Sequence, residues 1–161
     1  MDTSAAAAAD AALAKPSAAD AELRALKTEA RVGEGETFLI EKDFAKAESF
    51  FRELAGGSDP QLVAVGNAGE GEAIFLAALA SKNANDVRRA QLCLAKASVF
   101  DAAANEASAK ANYYLGRCLL ELGQEREGDT FKQRANAYFQ LVISSYPSSR
   151  FAALAKQDLA R

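Results

Sequence analysis

The sequence predicts an all-α protein of stacked helical hairpins. Ala, the strongest helix former, supplies 38 of the 161 residues, whereas the β-branched residues that favour strands are scarce, with six Val and three Ile. One pattern also occurs three times, in which a Gly is followed by an Ala and, four residues later, by a bulky apolar residue. The three copies are Gly35, Ala47 and Phe51; Gly71, Ala90 and Leu94; and Gly116, Ala135 and Phe139. Repeats of this length are typical of helical hairpins that bury their apolar faces against one another.

The interval from Gly to Ala separates the first copy from the other two. It is 12 residues in copy one and 19 residues in copies two and three. The seven additional residues correspond to about two helical turns. Because one added turn in each helix would preserve the way in which the two helices of a hairpin face each other, we expect longer helices in copies two and three rather than a long loop.

Residues 1–18 are Ala-rich and are interrupted by Pro16. Leu13 is almost the only bulky apolar residue among them, so they offer no apolar face for docking, and we expect a disordered or fraying arm. Residues 19–161 are numerous enough to bury one hydrophobic core, and we expect them to form a single helical repeat domain.

The first hairpin is predicted between Asp20 and Leu54. Asp20 is a plausible N-cap for its first helix, and residues 41–43 are expected to form the turn. Asp43 then caps a second helix, whose apolar residues keep helical spacing as far as Leu54. Gly56 comes next and indicates where this helix ends.

The second hairpin is predicted to begin at Asp59, an N-cap that is followed by Pro at the first helical position. Its first helix is expected to reach Ser81. After a polar loop, Asp86 is expected to cap a helix over residues 87–100.

The third hairpin is predicted to consist of helices over residues 105–122 and 129–145. Pro147 stops the second of them, and Ser148 is expected to cap a last helix. One face of that last helix is polar, as is typical of the helix that closes a repeat stack.

The residues of copy one resemble those of the tetratricopeptide repeat (TPR) family, and copy three shows the same pattern. The matching residues of copy one are Gly35, Phe38, Asp43, Phe44, Ala47, Phe51, Leu54, Asp59 and Pro60. This resemblance implies a right-handed α-solenoid of three TPR-like hairpins with a C-terminal capping helix. It also implies a non-catalytic scaffold for protein–protein interaction, in which a concave groove binds a peptide or helix segment of a partner protein.

The resemblance further implies that the first helix of each hairpin lines that groove. The candidate protein-binding residues are Val32, Glu36 and Leu39 in copy one; Ala68, Glu72 and Phe75 in copy two; and Tyr113, Arg117 and Leu120 in copy three. Glu36 and Glu72 would repel the C-terminal carboxylate that some members of the family bind. An amphipathic or basic segment would suit this groove better, and the alternative is that these side chains are simply solvated.

The segment from residue 137 to residue 149 is similar to bacterial cell-envelope proteins of the TPR class, such as the barrel-assembly lipoprotein and the Tol–Pal coordinator. This similarity implies one component of a larger envelope assembly. The alternative is a small secretion-type TPR chaperone for an aggregation-prone client. The N-terminus lacks the basic and strongly apolar regions of a secretory signal, so we expect a cytoplasmic protein if this N-terminus is native and a periplasmic or envelope protein if a signal was removed.

The net charge of −3 is unevenly distributed. Residues 31–72 carry nine acids and four bases, whereas residues 131–161 carry five bases and one acid. Nucleic-acid binding is not expected, because the aromatic residues occupy apolar positions of the predicted helices rather than a basic surface. No transmembrane segment is expected either, because the apolar run of residues 74–80 is too short.

Enzymatic activity, metal ions and cofactors are not expected. The chain contains no His, so a zinc site would lack half of its usual ligands. The sequence Gly-Glu-Gly-Glu, at residues 33–36 and 69–72, lacks the strand and the basic residue of a phosphate-binding loop, and we expect its glycines at helix crossings. Cys93 and Cys118 are expected to be free, mostly buried thiols, with a disulfide as the alternative.

Overall fold

The computed structural model describes residues 17–99, 105–124 and 128–160, and within these ranges every regular element is an α-helix. The all-α prediction is therefore confirmed for the described residues. The helices are α1 (Ala18–Ile40), α2 (Phe44–Ala55), α3 (Pro60–Ser81), α4 (Ala84–Ser98), α5 (Asn105–Gly123), α6 (Gly128–Ser145) and α7 (Arg150–Leu159). The predicted arm of residues 1–18 lies almost entirely outside the described residues.

The chain divides into two compact units, and the boundary between them along the chain lies between Arg31 and Val32. The predicted domain begins earlier, at residue 19. In the first unit, the residues of α1 are exposed almost without exception. The Ser17 hydroxyl accepts a hydrogen bond from the Asp20 backbone N–H, and the Asp20 carboxylate accepts one from the Ser17 backbone N–H. This reciprocal pair makes Ser17, not Asp20, the residue that caps α1.

In the second unit, helices that follow one another in sequence also pack against one another from α2 to α7. In addition, α5 contacts both α3 and α7. Three hydrophobic clusters result, of which one joins α3, α4 and α5 and another joins α5, α6 and α7. The third joins α2 to α3 and includes Phe38 and Leu39 of α1. The largest fully buried side chains are Phe51, Phe75, Phe139 and Leu94.

The repeated pattern of Gly, Ala and bulky residue corresponds to real contacts in all three copies. A Cβ atom added to Gly71 would lie 2.5 Å from Cγ of Leu94, and one added to Gly116 would lie 2.6 Å from Cε1 of Phe139. A Cβ on Gly35 would likewise overlap the ring of Phe51. The Ala residues of the three copies are fully buried. Each Gly therefore lets the bulky residue of its own hairpin pack directly on the facing helix, which confirms the predicted helix crossings at Gly35 and Gly71. The prediction is wrong for Gly33, where an added Cβ would meet nothing within 4 Å because no other helix faces it closely.

The prediction of longer helices in the second copy is also confirmed. Helix α3 continues ten residues beyond Gly71, whereas α1 continues five residues beyond Gly35. Helix α4 begins six residues before its buried Ala, whereas α2 begins three residues before its own. The additional residues therefore lengthen both helices of the hairpin and leave the connecting turn short.

Besides the cap of α1, two predicted helix caps are confirmed and two are wrong. The side chains of Asp43 and Asp59 accept hydrogen bonds from backbone N–H groups at the starts of α2 and α3. Helix α4, however, begins three residues before the predicted position, because the Asn83 side chain accepts from the Asn85 N–H. Asp86 thus lies in the first turn of α4, where it forms an ion pair with Arg89. Helix α7 is capped by Ser149 rather than by Ser148.

Both cysteines are free, as predicted. Cys118 is fully buried, and burial raises the pKa of its thiol to about 12. Cys93 is half-buried, and burial, with the nearby carboxylate of Glu70, raises its pKa to about 11. Thiolates are the reactive form of cysteine, so both thiols are poor nucleophiles near neutral pH.

We expect a thiol-specific disulfide reagent at pH 8 to modify Cys93 at least about tenfold more slowly in the folded protein than in urea, and to leave Cys118 unmodified. The variants Cys93→Ser and Cys118→Ser show which thiol each reaction belongs to. The absorbance of the chromophore that the reagent releases measures the rate. Rapid modification of Cys118 without denaturant would contradict the burial of α5 in the core.

Helix α3 is long and apolar enough, by length and composition alone, to cross a membrane, with a mean hydropathy of 1.4 over an 18-residue window. Of that window, 67% is buried against the rest of the protein. It also contains Glu70 and Glu72, both of which are buried. A helix that is buried against several other helices is as apolar as a membrane-spanning helix. Helix α3 is of this kind, because it contacts α2, α4 and α5.

Candidate functional site

A small cavity opens between α1, α3 and α5, which are the first helices of the three copies. Its volume is about 80 Å³. It is lined by Val32, Glu36, Val65, Ala68, Glu106, Ala107 and Lys110, and we call it the α1/α3/α5 pit. Three of the predicted groove residues, Val32, Glu36 and Ala68, are in this lining. The pit therefore has an apolar lining, with the partly exposed carboxylates of Glu36 on α1 and Glu106 on α5 at its rim and the buried Lys110 beside them.

The structure places the other predicted groove residues elsewhere. Phe75 and Tyr113 are 1% and 4% exposed, so they are packing residues of the core. Leu39 is half-buried and packs with the cluster that joins α2 to α3. Arg117 and Leu120 line a separate cavity of about 340 Å³, next to α6 and α7. The pit thus brings together predicted groove residues of copies one and two. The residues that were predicted for copy three do not line it, although other residues of α5 do.

Lys110 connects the two acidic residues that were predicted for the groove. Its Nζ atom lies 2.7 Å from Oε2 of Glu72 and 3.4 Å from Oε1 of Glu36. The side chains of Lys110 and Glu72 are only 7% and 11% exposed. The Tyr114 hydroxyl donates a further hydrogen bond, of 2.7 Å, to Oε1 of Glu72. Because a buried charge is costly unless it is paired, this arrangement holds the three helices together at one point.

Arg150, the first residue of α7, forms ion pairs with two residues of the pit lining. Its Nη2 atom pairs with Oε1 of Glu36, and its Nη1 atom lies 3.4 Å from Oε2 of the same residue. Its Nε atom lies 3.6 Å from Oε1 of Glu106 on α5. The side chain is still 53% exposed. Arg150 therefore bridges the carboxylates of α1 and α5 at the rim of the pit.

The pKa values of Glu36 and Tyr114 are shifted in opposite directions. Burial raises the pKa of Glu36, but Lys110 and Arg150 outweigh that effect, so the pKa is lowered overall and the carboxylate is ionised. Burial, and the neighbouring Glu72, raise the pKa of Tyr114, so its hydroxyl remains a hydrogen-bond donor. Neither group therefore exchanges a proton in the physiological range.

Lys110 was missed as a site residue at the level of sequence, although a signal was present. It stands alone among the buried residues Ala107, Ala109 and Ala111. It also lies seven residues, or about two turns, before Arg117, and so on the same helical face. A single cation in a run of core alanines requires an acidic partner, and the Glu residues of α1 and α3 were the available ones.

A second group of ion pairs lies on α2, α3 and α4. Arg52 Nε lies 2.9 Å from Oε1 of the buried Glu70, and Arg89 Nη2 lies 3.0 Å from Oε1 of Glu48. A cavity of about 630 Å³ beside this group is lined in part by Arg52, Cys93 and Lys96. In the described part of the chain, no group of three or more His, Cys, Asp or Glu residues could hold a metal ion.

No family model, curated protein or solved structure matches this chain significantly. The similarity to the TPR family, and to its cell-envelope members, therefore stays a prediction from the residues named above.

Proposed function

We propose that this protein is a non-catalytic scaffold for protein–protein interaction. In this proposal the three hairpins stack as a right-handed, TPR-like α-solenoid that α7 closes, and a segment of a partner protein binds at the α1/α3/α5 pit. The contacts of α3 with α5 and of α5 with α7 support the stacking, because each joins elements that are two helices apart in sequence. The repeated contact between Gly and bulky residue in every hairpin supports it as well.

The pit is the observation that carries the proposal. Sites for small molecules usually have volumes of about 300–1,000 Å³, whereas the pit has about 80 Å³. It can therefore receive the end of one aliphatic side chain, not a cofactor. An apolar pit with charged groups at its rim suits a peptide that is anchored by one apolar side chain. Since the lining comes from the first helix of all three copies, only the stacked hairpins create it.

The similarity of residues 137–149 to cell-envelope proteins of the TPR class favours a partner in a cell-envelope assembly. The alternative, a secretion-type chaperone, predicts that the protein co-purifies with an aggregation-prone client. A scaffold is expected to be monodisperse on its own. Size-exclusion chromatography with light scattering on the purified protein, with and without its cellular partners, distinguishes these two kinds of binding protein.

We expect that twelve-residue peptides selected by phage display on the immobilised protein bind at the pit. The substitution Val32→Phe places a ring over the opening, because Val32 is a half-buried lining residue. It should weaken the binding of the selected peptides at least about tenfold, as measured by fluorescence anisotropy.

The matched control is Leu92→Phe, which adds a ring at an exposed position of α4 outside the pit lining. This variant should bind the same peptides as the wild type does. If the selection enriches no peptide, or if the enriched peptides bind Val32→Phe and Leu92→Phe equally well, the pit is not the binding site and the proposed function is wrong.

A further inference from the structure

The arrangement at the rim of the pit points to the chemistry of the partner. We propose that the pit binds an amphipathic segment in which a Lys or Arg stands close to a small aliphatic residue, and that Arg150 is an internal competitor for the place of that cation. This inference rests on the proposed function and adds to it the charge of the ligand and a means of controlling access.

Two acidic side chains lie at the rim of the pit. Glu36 on α1 and Glu106 on α5 both line the pit, and Arg150 forms ion pairs with both. A guanidinium already bridges these carboxylates, so their spacing suits one cation. When the Arg150 side chain turns away, two carboxylates of the same sign are left at the opening. A cationic side chain of a ligand would relieve their repulsion.

The two cations of the cluster, Lys110 and Arg150, differ in burial. Lys110 is buried and lies closer to Glu72, at 2.7 Å, than to Glu36, at 3.4 Å. Its charge is largely compensated by Glu72, and it cannot leave without exposing the core. Arg150 is more than half exposed and belongs to the end of a helix, so it can turn away while α7 remains packed through Phe151 and Ala152.

The ion pairs of Arg150 are easily exchanged. Exposed ion pairs contribute little net stability, because the side chains regain water and conformational freedom when they separate. Exchanging Arg150 for a ligand cation therefore costs little. The ligand gains in addition the burial of an aliphatic side chain between Val32, Val65 and Ala107, a gain that Arg150 does not have. A ligand with both groups should thus displace Arg150, whereas a free cation should not.

The test uses two synthetic fluorescein-labelled peptides of fourteen residues with the same spacing of Leu and Ala. One carries Lys and the other carries Glu at the polar positions between them. Fluorescence anisotropy measures the binding of both peptides to the wild type, Arg150→Gln, Glu36→Gln and the control Arg134→Gln, which changes an exposed residue of α6. Circular dichroism establishes that each variant retains its helical content.

We expect the Lys peptide to bind the wild type at least about tenfold more tightly than the Glu peptide does, with affinity falling as salt rises. Arg150→Gln should tighten binding of the Lys peptide about three- to tenfold, because the competitor is gone, while Glu36→Gln should weaken it by a similar factor. Arg134→Gln should bind like the wild type.

Weaker or unchanged binding of the Lys peptide to Arg150→Gln would overturn the inference, as would a failure of that peptide to bind either protein. Preference for the Glu peptide would overturn the inference, which concerns the charge of the ligand, and would leave the proposed function to its own test. The display selection with Val32→Phe tests the proposed function separately, since it makes no assumption about the charge of the ligand.

Discussion

Replacing Gly66 with Ala should lower the free energy of unfolding by about 1–3 kcal/mol. Gly66 lies on α3, and a Cβ atom there would overlap the backbone nitrogen of Ala55 and lie 2.7 Å from the carbonyl oxygen of Phe51. Both atoms belong to the backbone of α2, so no side-chain rotation relieves the overlap. The two helices would have to move apart, and this cost exceeds the gain of about 1 kcal/mol in helix propensity that Ala normally brings.

The chain provides a matched control in Gly33, which lies on α1 and where an added Cβ would meet nothing within 4 Å. Gly33→Ala should stabilise the protein by about 0.4–1 kcal/mol, because Ala restricts the unfolded chain and favours the helix. Urea denaturation followed by circular dichroism measures both changes. If Gly66→Ala proves as stable as Gly33→Ala, the close approach of α2 and α3 is refuted.

Replacing Lys110 with Met should lower the free energy of unfolding by about 3–5 kcal/mol. Met retains most of the length and the packing of the side chain, so the loss comes from charge. Glu72, whose side chain is only 11% exposed, would lose its cation, and Glu36 would lose one of two. The control Lys132→Met, at an exposed position of α6, should change the stability by no more than about 0.5 kcal/mol.

A double variant tests the origin of that loss. In Lys110→Met with Glu72→Gln, the amide oxygen can still accept the hydrogen bond of Tyr114, but no uncompensated carboxylate remains in the core. We expect the double variant to recover most of the stability that Lys110→Met loses. A double variant no more stable than Lys110→Met would mean that packing, not charge, is the role of Lys110.

The same cluster predicts a dependence on pH. The pKa of Glu36 is lower in the folded protein than its ordinary value of 4.5, so its ion pairs contribute stability that is present above pH 4.5 and is lost as the pH falls through the folded pKa. The stability gap between the wild type and Lys110→Met should therefore narrow below about pH 4.5. Denaturation in urea at pH 7 and at pH 3.5 measures this gap, and a constant gap would contradict the ionic account.

The elements of this protein could largely be predicted from its sequence, because local rules determine them. The abundance of Ala, the Asp before α3 and the Pro that begins it, and the spacing of apolar residues were sufficient for the helices. The contact of Gly71 with Leu94 was predictable too, because both residues lie in one hairpin and the hairpin has a short turn. The cap of α4 was not, because Asn83 and Asp86 are both good capping residues and local spacing does not choose between them.

The candidate site was predicted only in part, and the reason is the distance along the chain. The sequence indicated that Glu36 and Glu72 occupy the same position in successive copies. It did not indicate which cation each would meet, because Lys110 is 74 residues from Glu36 and Arg150 is 114 residues from it. Such pairs depend on how one hairpin is placed on the next. That placement depends on close approaches such as that of Gly66 to α2, which the repeated pattern does not include.

The helical class, the three copies of the pattern and the acidic character of Glu36 and Glu72 could be read from the amino acids alone. Each follows from composition or from spacing within a single helix or hairpin. Whether those acids face solvent or neighbouring cations was settled by the packing of helices that are far apart in sequence. Packing placed Phe75 in the core, joined Glu72 to Lys110 and brought Arg150 to the rim of the pit, because burial in a stack of hairpins depends on which faces meet.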